Sequence, residues 1–141
     1  MNISAVSEKD SEVLALINKT ALPIHDISDN VELFAIKENE QVVGTIGMER
    51  NERFALLRSL SVDEKQRGKG YGDTLVRFLE DKAKQKRIET IYLLTTTAEA
   101  FFSKKGYVTI QRSDVPEFIR LTSEFSSTCP STAIVMKKDL Q

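Results

Sequence analysis

Two hydrophobic rhythms alternate along the chain, and each predicts its own kind of element. Val13, Leu14, Leu16 and Ile17 give an apolar side to a first helix, for which Ser7 is the candidate cap. The stretch 20–30, with Pro23, His25 and several Asp and Asn residues, reads as a loop. Val31 to Lys37, Gln41 to Arg50 and Arg53 to Val62 read as three strands. Glu38-Asn39-Glu40 makes the first turn between them and Asn51-Glu52 a tight second one. From Asp73 to Gln85 the rhythm changes: Leu75, Phe78, Leu79 and Ala83 share one helical face, with charges elsewhere. Thr90 to Thr96 is β-branched and aromatic, hence a strand. Ala98 to Lys105 follows as a short helix that Gly106 closes. Tyr107 to Arg112 predicts another strand, Asp114 to Phe125 a helix with Pro116 in its first turn, and Ser131 to Lys137 a last strand. Antiparallel hairpins feeding a strand–loop–helix–strand unit predict an α/β (α+β) fold, a sheet covered by helices.

Composition narrows this picture. A chain of 141 residues fits one domain, here taken as 1–141, and buries a core without staples. The formal net charge of -1 gives no reason to expect nucleic acid or an anionic membrane as partner. One cysteine, Cys129, excludes an intrachain disulfide, and one histidine beside it supplies no ligand cluster, so no metal is expected. The N-terminal residues lack the basic start and apolar run of a signal peptide, and no apolar stretch approaches the roughly 20 residues that span a bilayer. A cytoplasmic setting is the expectation.

Candidate chemistry concentrates in Leu56 to Gly72, LLRSLSVDEKQRGKGYG. Gly68, Gly70 and Gly72 fall at every second position, just before an amphipathic helix. Glycines permit positive φ and close approach, so successive N–H groups converge on one point. The positive end of the following helix aims there too, and Arg67 and Lys69 add charge. The arrangement calls for an anion, most readily phosphate. The dinucleotide pattern G-x-G-x-x-G fails, because Asp73 stands where its third glycine belongs, and no Gly-Lys-Ser/Thr ends the loop as in a P-loop. The plainer alternative, a flexible turn, has no need of three alternating glycines and two cations.

Arg67-Gly68-Lys69-Gly70-Tyr71-Gly72 resembles the R-x-x-G-x-G pyrophosphate motif of the GNAT superfamily of N-acetyltransferases. Leu60-Ser61-Val62 resembles the strand whose backbone pairs with pantetheine in that superfamily. Phe101 to Tyr107 resembles its later helix-to-glycine segment, and element order agrees over nearly the whole chain. Leu57-Arg58-Ser59-Leu60 and Leu94 to Thr97 look like the matching pieces of amino-acid acetyltransferase domains. A closer likeness, through Leu93 to Phe102 and Glu124 to Met136, is to the short acetyltransferases of arsenic-resistance operons. The resemblance implies a mixed, mostly antiparallel sheet with helices on both faces, acetyl-CoA as cosubstrate, and a small amino-acid-like amine as acceptor. It also allows a homodimer, joined through the last strand.

The resemblance further implies direct transfer in a ternary complex, with backbone N–H groups of Leu60 to Val62 polarising the thioester carbonyl. Many relatives protonate the departing thiolate with a tyrosine; that position here is Phe102, which donates no proton. Water, Tyr71, Tyr107 and Cys129 remain as sources. Phe102 is counted with Leu60, Ser61, Val62, Arg67, Gly68, Lys69, Gly70, Tyr71 and Gly72 among the candidate coenzyme contacts.

Glu49 and Arg58 are the candidate catalytic residues. A two-residue Asn51-Glu52 turn sets Arg50 opposite Arg53 and Thr45 opposite Arg58, which puts Thr45, Glu49, Arg58 and Leu60 on one face. Glu49 and Arg58 then stand roughly 13 Å apart, leaving room for an acceptor with its carboxylate on Arg58 and its amine toward Glu49. A bulge in either strand breaks that register. Plainer readings are a structural ion pair for Arg58 and a solvated strand end for Glu49. His25 reads as a surface residue of a loop that in relatives borders the acceptor site. A peptide or protein acceptor, and an acyl-CoA-binding domain without turnover, are the alternatives.

Overall fold

The computed structural model describes residues 2–7, 10–19, 31–122, 125 and 133–140. Strand β1 (Asn2–Val6) pairs antiparallel with β2 (Val31–Glu38), with helix α1 (Ser11–Lys19) between them in the chain. Residue 10, not Ser7, caps that helix: the Asp10 carboxylate accepts from the N–H groups of Glu12 and Val13 at 3.0 and 3.2 Å. Helix α1 is tied to the sheet at its start, where Glu12 accepts from the N–H of Val42 at 3.0 Å.

Strands β2 and β3 (Gln41–Arg50) form a hairpin closed by Glu38 opposite Gln41. Asn39 and Glu40 both take positive φ, 50° and 66°, the backbone of a type I′ turn. Strand β4 (Phe54–Val62) returns antiparallel to β3, and a short 3₁₀ turn, Glu64–Gln66, leads into helix α2 (Tyr71–Gln85). Strand β5 (Thr90–Thr95) then lies parallel to β4. After helix α3 (Glu99–Ser103) come β6 (Val108–Ile110), the single-turn helix α4 (Glu117–Arg120) and β7 (Ile134–Asp139). The sheet order is β1-β2-β3-β4-β5-β7-β6, with β4–β5 the parallel neighbours in an otherwise antiparallel ladder.

Helices cover both faces of this sheet, as expected. On one, α2 buries Leu75, Val76, Leu79 and Ala83 against Ile46, Met48, Leu57 and Ile91, and Phe102 of α3 joins the same core. On the other, α1 packs Val13, Leu16 and Ile17 on Leu33 and Ala35. There α4 contributes Ile119, beside Leu56, Tyr92 and Val135. The helix expected over Ala98 to Lys105 is shorter, at Glu99–Ser103, and two later elements shrink further. The strand Tyr107 to Arg112 shrinks to Val108–Ile110, and the helix Asp114 to Phe125 to one turn with Pro116 as its cap. A 3₁₀ turn, Arg112–Asp114, lies between them.

Candidate active site

The site begins where two neighbouring strands part. Strands β4 and β5 pair over three positions, Phe54 with Thr90, Ala55 with Ile91 and Leu56 with Tyr92. Beyond Leu56, β4 continues for six residues to Val62 and β5 for three to Thr95, and among the described residues the two no longer pair. The parting leaves a gap in the sheet bordered by main chain. Leu60, Ser61 and Val62 lie at the open end of β4.

Within that end β4 carries a bulge. Thr45 opposes Ser61 while Gly47 opposes Arg58, so β4 holds one residue more than β3. Ser59 absorbs it at φ 58°, a left-handed backbone that costs a side-chain-bearing residue about 1–2 kcal/mol. The Thr45 hydroxyl holds the bulge by donating to the Ser59 carbonyl at 2.8 Å. One consequence corrects the expected facing: Leu60 turns to the α2 side of the sheet, away from Arg58. Ser61 directs its hydroxyl to the Leu16 carbonyl of α1 at 3.4 Å, so its main chain rather than its side chain borders the gap.

The glycine loop follows directly. Asp63 caps the 3₁₀ turn, and Gly68 and Gly70 then take φ 87° and 82°. A Cβ at either would meet no atom within 4 Å, so both face open space. Gly70 is the N-cap of α2 and no side chain caps that helix. The first N–H to find its helical acceptor is that of Thr74, on the Gly70 carbonyl at 3.0 Å, which leaves the preceding donors directed out of the helix end. Arg67 and Lys69 are exposed beside it; Arg67 Nε donates to the Val62 carbonyl at 3.4 Å and Lys69 Nζ to Gln66 Oε1 at 2.7 Å. The positive helix end, bare donors and two cations suit a multiply charged anion. Gly72 differs from its two partners. Its place for a Cβ lies 3.3 Å from the Phe101 ring, so it admits α3 rather than a ligand.

The tyrosines are committed elsewhere. Tyr71 is buried and its hydroxyl donates to Glu38. Tyr107 is buried with its hydroxyl on Glu80 Oε2 at 2.9 Å, while Lys138 Nζ holds both oxygens of Glu80 at 3.2 Å. Burial above all, then the Glu80 charge, pushes the Tyr107 phenol far above its usual value. Phe102 is packed edge-on to Phe101 and Tyr107 at centroid distances of 5.1 and 5.4 Å, inside the core. Phe101 is therefore the aromatic of the pair nearer the loop.

The largest correction concerns Glu49 and Arg58. They are joined directly, Arg58 Nη1 to Glu49 Oε1 at 2.7 Å, with the Arg58 side chain 0% and that of Glu49 13% exposed. The expected separation failed because the β3–β4 turn falls on Glu52-Arg53, one residue later than expected, with the Asn51 N–H donating to the Phe54 carbonyl at 3.0 Å. The Asn51 carboxamide accepts from the N–H groups of Arg53 and Phe54 at 2.8 and 2.7 Å, an Asx turn that fixes this placement. Arg50 thus opposes Ala55 and Glu49 opposes Leu56, two residues from Arg58 on the same face. Gly47, not Thr45, stands across from Arg58. Arg58 Nε also reaches Ser59 Oγ at 3.3 Å, coupling the pair to the bulge.

Two residues that sequence reasoning passed over belong here. Asp73, in the first turn of α2, is paired with Lys105 just beyond α3 and with Arg77 at 3.0 Å. The hydrogen bond from Lys105 foremost holds the Asp73 carboxyl below its usual range. A lysine in Ser103-Lys104-Lys105-Gly106 gives no periodic signal that would mark it. His25 and Cys129 lie outside the described residues. Among the described residues no group of three or more His, Cys, Asp or Glu could hold a metal ion, and no helix is long and apolar enough to cross a membrane.

Known proteins share this architecture. In three dimensions the chain is similar to a GNAT-family acetyltransferase from Staphylococcus aureus, at TM-score 0.79 and 22% identity over 99% of each chain. It is similar to N-acetylglutamate synthase from Neisseria gonorrhoeae complexed with coenzyme A and N-acetyl-glutamate, at TM-score 0.79 and 18% identity, over 100% of this chain and 36% of that one. A Mycobacterium tuberculosis protein in complex with CoA matches at TM-score 0.79 and 16% identity over 100% of both chains. At such identities the likeness is one of fold. A family model for the acetyltransferase (GNAT) family matches residues 6–107, well over half of the sequence. A match of that extent, on a sheet parted in this way, makes the chain a member of the GNAT acetyltransferase family.

Proposed function

We propose that the protein is an N-acetyltransferase that moves an acetyl group from acetyl-CoA to the amine of a small amino-acid-like acceptor, by direct transfer with both substrates bound. The observation that carries this reading is the parting of β4 and β5 beside an uncapped, glycine-lined helix start. The N–H groups around Gly68 to Gly72 bind the diphosphate, with Arg67 and Lys69 as flanking charges. The free edge of β4 at Leu60 to Val62 takes the amide arm and offers donors to the carbonyl oxygen as charge develops there. When bound, acetyl-CoA supplies a thioester carbonyl open to attack by an amine. Holding the amine in line with that carbonyl is the chain's largest contribution.

Glu49 is the proton acceptor in this reading, directly or through water, for an ammonium that must be neutral before it attacks. Arg58 acts behind it, holding the carboxylate in place at 2.7 Å, and is a positioning residue. An amino-acid-like acceptor agrees with the N-acetylglutamate synthase likeness, whose structure contains N-acetyl-glutamate. The competing reading, a coenzyme-binding module without turnover, gains support from Phe102 in the usual acid position and from the engagement of Tyr71 and Tyr107 with Glu38 and Glu80.

Calorimetric titration with acetyl-CoA, followed by thiol release across amino acids, phosphinothricin-type compounds, polyamines and a peptide N-terminus, decides between them. Heat and turnover with an amino-acid-like acceptor are expected. Heat without turnover on any acceptor establishes the module. Gly70→Asp, which sets a bulky anion at φ 82° in the diphosphate's place, should remove the heat while circular dichroism stays unchanged. Normal affinity in that variant sinks the site.

A further inference from the structure

The start of α2 contains a conflict. Asp73 occupies the third position of the helix, where a carboxylate is welcome to the helix dipole and competes with any outside anion for the same positive end. Asp73 nevertheless makes no capping hydrogen bond to its own helix. It is drawn sideways to Lys105, with Arg77 as a second, more exposed cation at 3.0 Å. Lys105 is only 16% exposed and its ammonium stands 4.4 Å from the centre of the Phe101 ring. That ring is the one packed on Gly72, one residue before Asp73. Lys105 is thus held over α3 in a fixed place, and its partner is the carboxylate in the first turn of α2.

We infer that Lys105 is a positioning residue for the coenzyme's diphosphate: it pulls the Asp73 carboxylate off the end of α2 and cancels its charge, so that the helix end stays open to an incoming anion. The inference rests on the coenzyme reading of the loop and deepens it. Lys105 touches no reacting atom in this role; it acts through Asp73. A plain structural clamp between α2 and α3 makes the opposite prediction for Asp73, since a clamp fails whichever partner is removed.

The test compares wild type, Lys105→Met, Lys105→Gln, Asp73→Asn and the double variant Asp73→Asn/Lys105→Met, using calorimetric affinity for coenzyme A and thermal melting. Either lysine variant should weaken coenzyme A about tenfold, the order expected for one charge near a helix end. Asp73→Asn should bind as tightly as wild type or tighter. The double variant should recover the affinity of Asp73→Asn, because without the carboxylate the lysine has nothing to neutralise. S-acetylpantetheine, which lacks the diphosphate, should bind all five proteins equally as a competitor. Asp73→Asn as weak as Lys105→Met, a double variant without recovery, or an equal loss for S-acetylpantetheine overturns the inference while leaving the site intact. A wild type that takes up no coenzyme A overturns the site reading, and the inference with it.

Discussion

Arg58 and Glu49 illustrate how much a single residue depends on its partner. With the Arg58 side chain at 0% exposure and that of Glu49 at 13%, removing Arg58 leaves the Glu49 carboxylate without the cation that meets it at 2.7 Å. Arg58→Met should therefore lower stability by about 3–5 kcal/mol, read as a fall in the denaturant midpoint with little change in slope. Replacing both by apolar residues, Glu49→Leu with Arg58→Met, should return most of that loss; a double variant as unstable as the single one would show that stranded charge is not the cause. The residue types at 49 and 58 were legible as unusual for strands, but their distance was not, because it depended on where the turn at Asn51 sets the register. Glycine spacing was legible at Gly68 and Gly70, which take the positive φ that only their geometry demands, whereas Gly72 proved to be a packing glycine.

Among the elements, α2 is the one that both builds the core and aims the loop. Its register on the sheet is set where Leu75 meets Gly44: a Cβ at Gly44 would lie 3.0 Å from Leu75 Cδ1. Leu75 is fully buried, so Leu75→Ala should cost about 2–5 kcal/mol. Because Leu75 lies five residues beyond Gly70, coenzyme affinity in that variant should fall as well, measured below its melting range by calorimetry. Unchanged affinity would mean that the loop holds its shape without the helix behind it. The amphipathic rhythm of α2 was plain from sequence, and so were the β2–β3 hairpin and β5. Strand β1 was passed over, since its two half-buried apolar residues, Ile3 and Val6, stand three apart and do not show the strand period. The helix expected after Asp114 keeps only the turn Glu117–Arg120 within residues 114–122, with a 3₁₀ turn and an extended Val115 before it.

At the scale of the whole molecule, acid should loosen the fold through its paired carboxylates. Asp73, Glu89 and Asp139 are held below their ordinary ranges, chiefly by hydrogen bonds from Lys105, Arg53 and Thr90 respectively. A depressed folded pKa contributes stability above the unfolded value, and that contribution is lost as pH falls. The unfolding free energy should accordingly begin to drop as pH passes below about 4, and Asp139→Asn should flatten part of that slope in a pH series of denaturant melts. A slope unchanged in that variant would remove Asp139 from the explanation. The mixed sheet clad on both faces was legible from the order of rhythms, but not the place where it divides, because pairing between residues as far apart as Phe54 and Thr90 leaves no mark in local sequence. That division has a mechanical meaning. The leaf β1–β4 and the leaf β5–β7–β6 share a seam only three rungs long, so an occupant wedged between them would act as a keystone. Amide hydrogens along both lips of the seam, residues 57–62 and 93–95, should exchange more slowly once coenzyme A is added, and the two leaves should then melt as one body.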